Sequence, residues 1–211
     1  MALDPARAAF VELLAARGAV RFGDFTLKSG RKSPYFVNLG SLAAGGDVEV
    51  LGAAYAAAIR ERWPAAGVVF GPAYKGIPLA IAASVGLHRL GMAVGWAFDR
   101  KEAKTHGDGG MFVGAPLAGA RTVIVDDVLT AGTAMRECLA KLAPAGAQVL
   151  GAVVAVDRQE KGEDGRTALQ ALAAEGLAVG AVVTITQAAD HLAARGLLDA
   201  AGRARIADHL R

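Results

Sequence analysis

The chain has a single cysteine, Cys138, among 211 residues. No intramolecular disulfide is open to it, and its place in a stretch of helical spacing assigns it to packing rather than catalysis. No uncharged run comes near the roughly 18 apolar residues that a membrane span takes. Met1 to Arg7 carries an acid and a proline in place of a leader pattern, so a cytoplasmic protein without a membrane partner is expected. Lys and Arg form no tract, and a net charge of +3 is small for this length, so nucleic acid is not an expected partner. Also missing are a Walker A sequence, the dinucleotide pattern G-x-G-x-x-G and His-Glu-x-x-His. ATPase, Rossmann dehydrogenase and zinc-protease readings therefore lose their usual support.

What the chain does have is 54% hydrophobic and 20% charged residues, with 27 glycines and no low-complexity tract. That balance fits a compact enzyme rather than a disordered chain. The length suits one α/β domain over residues 1–211 with a full core. Its organising stretch is Thr122 to Ala134, Thr-Val-Ile-Val-Asp-Asp-Val-Leu-Thr-Ala-Gly-Thr-Ala. Val123 to Val125 is an apolar β-branched run of the kind that lies in a parallel sheet buried on both faces. Asp126 and Asp127 are costly to bury beside it, so they belong at the strand's carboxyl end, where open α/β sheets bind ligands. Val128, Leu129, Thr130, Ala131, Gly132, Thr133 and Ala134 then lead into a helix expected over Thr133 to Leu142. Such a turn can wrap N–H groups and hydroxyls around an anion at the positive end of the helix. The acids can hold sugar hydroxyls or, through water, a magnesium ion. A plain strand-to-helix turn with aspartate caps accounts for the same residues.

The order apolar strand, Asp-Asp, Thr-Ala-Gly-Thr closely resembles the ribose-phosphate signature of the type I phosphoribosyltransferases. The resemblance implies an α/β, phosphoribosyltransferase-type fold, a parallel sheet core flanked by helices, with a small N-terminal hood formed mainly by about residues 1–40. It also implies that Asp126 and Asp127 hold the ribose hydroxyls of phosphoribosyl pyrophosphate and that Val128 to Ala134 hold its 5-phosphate.

Before that stretch, Asp4 and Pro5, with Phe10, Leu13 and Leu14 on one face and Gly18 at the end, predict a capped amphipathic helix. Arg21 to Asn38 alternates in two short runs, Phe25 to Lys28 and Tyr35 to Val37, around Ser29-Gly30, and reads as a hairpin. Lys28 and Phe36 offer a cation and an aromatic to a planar anion, although a surface lysine and a core phenylalanine would look the same. Phe25 to Phe36, Phe-Thr-Leu-Lys-Ser-Gly-Arg-Lys-Ser-Pro-Tyr-Phe, looks like the N-terminal segment of orotate phosphoribosyltransferases. That implies that Lys28 reaches phosphoribosyl pyrophosphate and that Phe36 stacks near orotate. Val37 stands in place of the family's second aromatic, so its expected contact with orotate is through the backbone.

Asp47 is expected to cap a helix running to about Trp63-Pro64, and Val68 to Phe70 to begin the parallel sheet. The turn Gly71-Pro72-Ala73-Tyr74-Lys75-Gly76 follows, then helical spacing from Ile77 to Leu90. Lys75 at a strand end among glycines can reach a pyrophosphate oxygen or lie solvated in a loop. Resemblance to the same turn in orotate phosphoribosyltransferases implies that Tyr74 and Lys75 line the substrate site. Met92 to Phe98 reads as a strand, and Asp99 to Gly110 as a mobile loop carrying Arg100, Lys101, Lys104 and His106. Its cations suit a departing pyrophosphate, and its closure would keep water from an activated sugar. A charged surface loop is the plainer alternative. Arg-Lys-Glu-x-Lys-x-His-Gly matches the family's catalytic loop, which implies catalytic roles for Lys104 and His106 beside Asp126 and Asp127.

Gln148 to Val156 reads as a further buried strand ending in Asp157-Arg158-Gln159-Glu160. Arg158 can grip a carboxylate with two parallel hydrogen bonds or serve in an ion pair. The resemblance implies that Arg158 and Thr130 bind orotate. A helix near Thr167 to Glu175, a strand Val179 to Ile185 and a C-terminal helix complete the layers, with His191 and His209 as ordinary surface or capping residues. Taken together, the resemblance over roughly Arg21 to Glu160 implies an orotate phosphoribosyltransferase. It would use Mg2+ held through substrate and water rather than by direct protein ligands, and act as a homodimer with a shared active site. A regulator of the same fold that only senses phosphoribosyl pyrophosphate would have little need of the 99–110 loop. A purine enzyme would have little use for Lys28, Phe36 and Arg158.

Overall fold

The structure, a computed structural model, describes residues 3–26, 30–104, 110–129, 132–162 and 164–211, without the side chains of Ala103 and Lys104. Helix α1 (Pro5–Ala16) opens the chain, capped by Asp4, whose carboxylate accepts from the Ala6 and Arg7 amides. Strands β1 (Val20–Thr26) and β2 (Lys32–Val37) pair antiparallel as the expected hairpin. Its first strand starts earlier than the alternation suggested.

Helix α2 (Gly45–Arg62) is not capped by Asp47; Ala44 holds the cap position, and Asp47 lies within the first turn. From there its buried carboxylate accepts from the Ala44 amide at 3.2 Å and from Arg17 Nε at 2.9 Å, tying the end of α1 to the start of α2. Strand β3 (Val68–Phe70), helix α3 (Gly76–Arg89) and strand β4 (Gly95–Lys104) follow. The expected loop from Asp99 is therefore a strand as far as Lys104. It pairs with an unforeseen antiparallel strand, β5 (Gly110–Gly114), which supplies the backbone partners that local sequence could not reveal.

Strand β6 (Arg121–Val128), helix α4 (Thr133–Leu142) and strand β7 (Gln148–Asp157) match the expected order. Helix α5 (Ala168–Ala174) has Thr167 as its cap. Strand β8 (Val179–Thr184) stops one residue short of the expected end, because Thr184 caps helix α6 (Ile185–Ala194). A second C-terminal helix, α7 (Ala200–His209), was not separated in the sequence pattern. His191 is more than a surface residue: its Nε2 lies 3.0 Å from Glu12 and joins α6 to α1.

The main sheet has the order β5-β4-β3-β6-β7-β8, parallel except for β5. Along β6, Val123 and Val125 enter one core cluster with residues of α1, α2, α3 and α6, while Ile124 enters another with Met135, Cys138 and Leu142 of α4. A sheet covered on both faces explains the unbroken apolar run. Cys138 is buried, and burial pushes its thiol up to about 12, in keeping with a packing role.

Candidate active site

The chain runs from β3 to β4 on one side and later enters β6 on the other. In an open α/β sheet that reversal leaves a crevice at the strands' carboxyl ends, between the turn after β3 and the end of β6. Asp126, Asp127 and Lys75 meet there.

The turn after β3 depends on glycine. A Cβ on Gly71 would lie 1.9 Å from the Gly76 carbonyl oxygen, and one on Gly76 2.6 Å from the Gly71 carbonyl carbon. Only glycine lets the turn close on itself. A cis peptide joins Ala73 to Tyr74. Asp99, 3% exposed, anchors this turn by accepting from the Ala73 amide at 2.7 Å and from Lys141 Nζ of α4 at 2.5 Å. Lys75 then reaches across to β6, where its Nζ lies 2.6 Å from Asp127 Oδ2. That bond holds the Lys75 ammonium above its ordinary pKa.

Each aspartate is oriented by the next amide. Asp126 Oδ1 accepts from the Asp127 N–H at 2.9 Å, and Asp127 Oδ1 accepts from the Val128 N–H at 2.8 Å. The fully buried Tyr55 of α2 donates its hydroxyl to the Asp126 carbonyl at 2.7 Å, fastening the strand end from behind. Burial pushes the Asp126 carboxyl up to about 6; the Asp127 amide and Lys75 pull against the shift, and the Asp127 charge adds to it. The same burial, with both carboxylates near, raises Tyr55 well above the ordinary phenol value.

Beyond Val128 and Leu129, Gly132 is the residue before α4, with φ +77. That left-handed turn favours glycine, and it sets Thr133 and Ala134 in the first turn of α4, where N–H groups lack helical partners. Thr130 and Ala131 lie outside the described residues.

On the β4–β5 ribbon, Arg100 donates to the Gly110 carbonyl at 2.9 Å, and Lys101 Nζ sits 5.1 Å from the centre of the exposed Tyr74 ring. Lys101 and Tyr74 thus meet at the β3 turn, while Arg100 is tied to β5. His106 and the Lys104 side chain lie outside the described residues, as does Lys28.

The hairpin meets the end of β7. Tyr35, fully buried, donates its hydroxyl to the Arg158 carbonyl at 2.6 Å, and the Arg158 guanidinium lies 5.6 Å from the Tyr35 ring centre. Arg158 Nη2 donates to Glu160 Oε1 at 2.6 Å, and Glu160 also pairs with Arg31. Arg158 Nε is a buried donor without a hydrogen-bond partner among the described residues. Val37 is buried in the core, so its side chain faces inward. Phe36 alternates to the other face of the hairpin, where it packs on Phe25 and under Arg21, 5.0 Å from the ring centre.

Sequence reasoning missed Tyr35, Tyr55, Asp99 and Glu160 as parts of this constellation. Asp99 and Glu160 carried a readable signal, since acids at the carboxyl ends of apolar strands mark the ligand end of such a sheet. The tyrosines carried none, because their bonds join residues 123 and 71 positions apart.

Residues 40–175 match the phosphoribosyl transferase domain family. The orotate phosphoribosyltransferase of Thioalkalivibrio sulfidiphilus is 48% identical over 192 residues, 90% of each chain. The solved orotate phosphoribosyltransferase of Francisella tularensis superposes with a TM-score of 0.83 at 35% identity, over 95% of this chain and 96% of that one. The Mycobacterium tuberculosis enzyme, solved with 5-phospho-α-D-ribosyl 1-diphosphate, superposes with a TM-score of 0.66 at 25% identity, over 87% of this chain and 99% of that one.

Proposed function

Since the chain belongs to the orotate phosphoribosyltransferases, within the type I phosphoribosyltransferase family, it transfers the phosphoribosyl group of phosphoribosyl pyrophosphate to orotate in pyrimidine biosynthesis, and we propose which residues perform each step. The observation that supports the assignment is the Lys75–Asp127 contact, which joins the turn after β3 to the end of β6 across the crevice at 2.6 Å. Asp126 and Asp127 hold the ribose hydroxyls. Val128, Leu129, Thr130, Ala131, Gly132, Thr133 and Ala134 hold the 5-phosphate at the start of α4. Tyr74, Lys75, Lys101 and Lys28 line the pyrophosphate, while Arg100, Lys104 and His106 serve the site of the second copy in the dimer. Arg158, Thr130 and the backbone of Phe36 and Val37 receive orotate, the Phe36 ring being taken up by Phe25 and Arg21.

In the reaction the C1–O bond to pyrophosphate breaks with its electron pair leaving on oxygen, a ring nitrogen of orotate bonds to C1, and the proton of that nitrogen is lost to the departing pyrophosphate, directly or through water. Positive charge develops on the sugar between the first two events, so positioning and leaving-group stabilisation are the main needs, and no covalent nucleophile is required. The cations of the ribbon and of Lys75 meet the charge growing on the pyrophosphate, and closure excludes water.

The donor set suits a magnesium ion that arrives with substrate. Asp126 and Asp127 each spend one oxygen on a backbone N–H, and among the described residues no three His, Cys, Asp or Glu side chains gather round one point. Magnesium is commonly held by one or two carboxylates together with phosphate oxygens and water, and that arrangement fits here. When bound, the ion would neutralise charge on the leaving pyrophosphate.

The chain works as one domain and as a two-fold dimer in the cytoplasm. Ile81, Val85 and Leu90 lie exposed on and beside α3, and this apolar face supports pairing with a second copy. No helix among the described residues is long and apolar enough to cross a membrane.

The role given to Asp126 has a pH consequence. Its carboxyl titrates at about 6 in the free protein and must be ionised to accept from ribose hydroxyls. The productive form is therefore present above that value and lost below it. kcat/KM for phosphoribosyl pyrophosphate is expected to fall about tenfold from pH 7 to pH 5 on this account alone. The phosphate of the substrate titrates in the same range, so the profile is compared with that of Asp126→Asn. The variant should be weaker throughout and lack this part of the decline; superimposable profiles would remove Asp126 from ribose binding.

A further inference from the structure

Arg158 is held more tightly than a surface arginine, and the residue that holds it has no role in the chemistry above. Three contacts converge on it. Its carbonyl accepts the Tyr35 hydroxyl at 2.6 Å, its guanidinium lies over the Tyr35 ring at 5.6 Å, and its Nη2 is fixed by Glu160 at 2.6 Å. Glu160 is in turn paired with Arg31 of the hairpin. Arg158 Nε remains a buried donor with no hydrogen-bond partner among the described residues. The protein thus orients this guanidinium from two sides and leaves part of its donor capacity unspent.

We propose that Tyr35 is a positioning residue for base recognition: its hydroxyl fixes the Arg158 backbone and its ring supports the guanidinium that receives the carboxylate of orotate. The inference rests on the reading of Arg158 as the orotate residue. A carboxylate is gripped well only by a guanidinium held in the right plane, because two parallel hydrogen bonds tolerate little rotation. Tyr35 suits that task. It is fully buried, so its rotamer is set by the core, and its one polar atom is aimed at the residue that must not move. Phe36, the aromatic expected at the base, faces the other side of the hairpin and packs with Phe25 and Arg21. The alternative role for the Tyr35 hydroxyl is to fasten the hairpin to the sheet, and the two roles separate in kinetics. Loosening the hairpin would disturb Lys28 and so phosphoribosyl pyrophosphate; disturbing Arg158 alone would affect orotate.

The test is Tyr35→Phe, which keeps the ring and removes the hydroxyl. Initial rates are measured against each substrate, with a thermal melt, and uracil serves as a competing base that lacks the carboxylate. KM for orotate should rise about tenfold, while KM for phosphoribosyl pyrophosphate and inhibition by uracil stay within about twofold. Equal rises in both KM values would make the hydroxyl a fastener of the hairpin and overturn the proposal. So would unchanged kinetics with a lowered melt, or a variant that does not fold. Arg158→Ala is assayed alongside. If that variant binds orotate normally, the reading of Arg158 fails, whereas a strong effect there with none in Tyr35→Phe overturns only the positioning role.

Discussion

Mixed dimers of Lys104→Ala and Asp127→Asn chains are expected to regain about a quarter of wild-type activity, although each variant alone should fall about a hundredfold or more. Asp127→Asn leaves the strand end intact but weakens the bond to Lys75 and the grip on ribose, which acts as turnover proceeds. Lys104→Ala removes a cation from the ribbon that meets the leaving pyrophosphate. In a two-fold dimer whose ribbon reaches over the neighbouring site, one site of a mixed pair receives sound acids from one chain and a sound ribbon from the other. Its twin receives both defects. Random assembly makes about half the dimers mixed, and half their sites work, hence the quarter. Two affinity tags, purified in series, show whether mixed dimers formed. With mixed dimers in hand, no recovery would mean that Lys104 serves its own subunit.

Arg158→Ala is expected to raise KM for orotate about a hundredfold and leave KM for phosphoribosyl pyrophosphate within about twofold. The guanidinium is the charge partner for the orotate carboxylate, and a truncated site would leave that carboxylate desolvated without one. The rest of the constellation survives the change. Glu160 keeps Arg31, and Tyr35 bonds to the backbone carbonyl, which alanine retains. Kinetics with each substrate varied in turn separate the two effects, and equal loss of both would place Arg158 elsewhere in the mechanism.

These expectations draw on residues that differ in how readable they were. The strand at Val123 to Val125, the acids after it and the helix Thr133–Leu142 were legible because each rests on a local pattern: β-branched burial, charge at a strand end, and small residues before a helix. The β4–β5 ribbon was not. A strand whose side chains stay in water shows no apolar alternation, so Arg100 and Lys101 read as loop, and only pairing with Gly110–Gly114 makes them strand. Asp47 misled for a related reason: an acid near a helix start looks like a cap, yet in the first turn it reaches backward and is shared with Arg17. Asp99 looked like the first residue of a loop, and its bonds to the Ala73 amide and Lys141 depend on elements brought together by the sheet. Arg158 was legible as a site residue from its strand-end position, but Tyr35, which supports it from the hairpin, comes into view only once the hairpin is folded against β7.

The most direct measurement offers the purified protein phosphoribosyl pyrophosphate and magnesium together with orotate, uracil, adenine or hypoxanthine, each in its own reaction, and follows nucleotide and pyrophosphate formation. A base without a carboxylate leaves Arg158 unpaired in a desolvated site, so orotate alone should be converted, with one pyrophosphate released for each orotidine monophosphate formed. Conversion of adenine or hypoxanthine with orotate left untouched would contradict an orotate site built on Arg158.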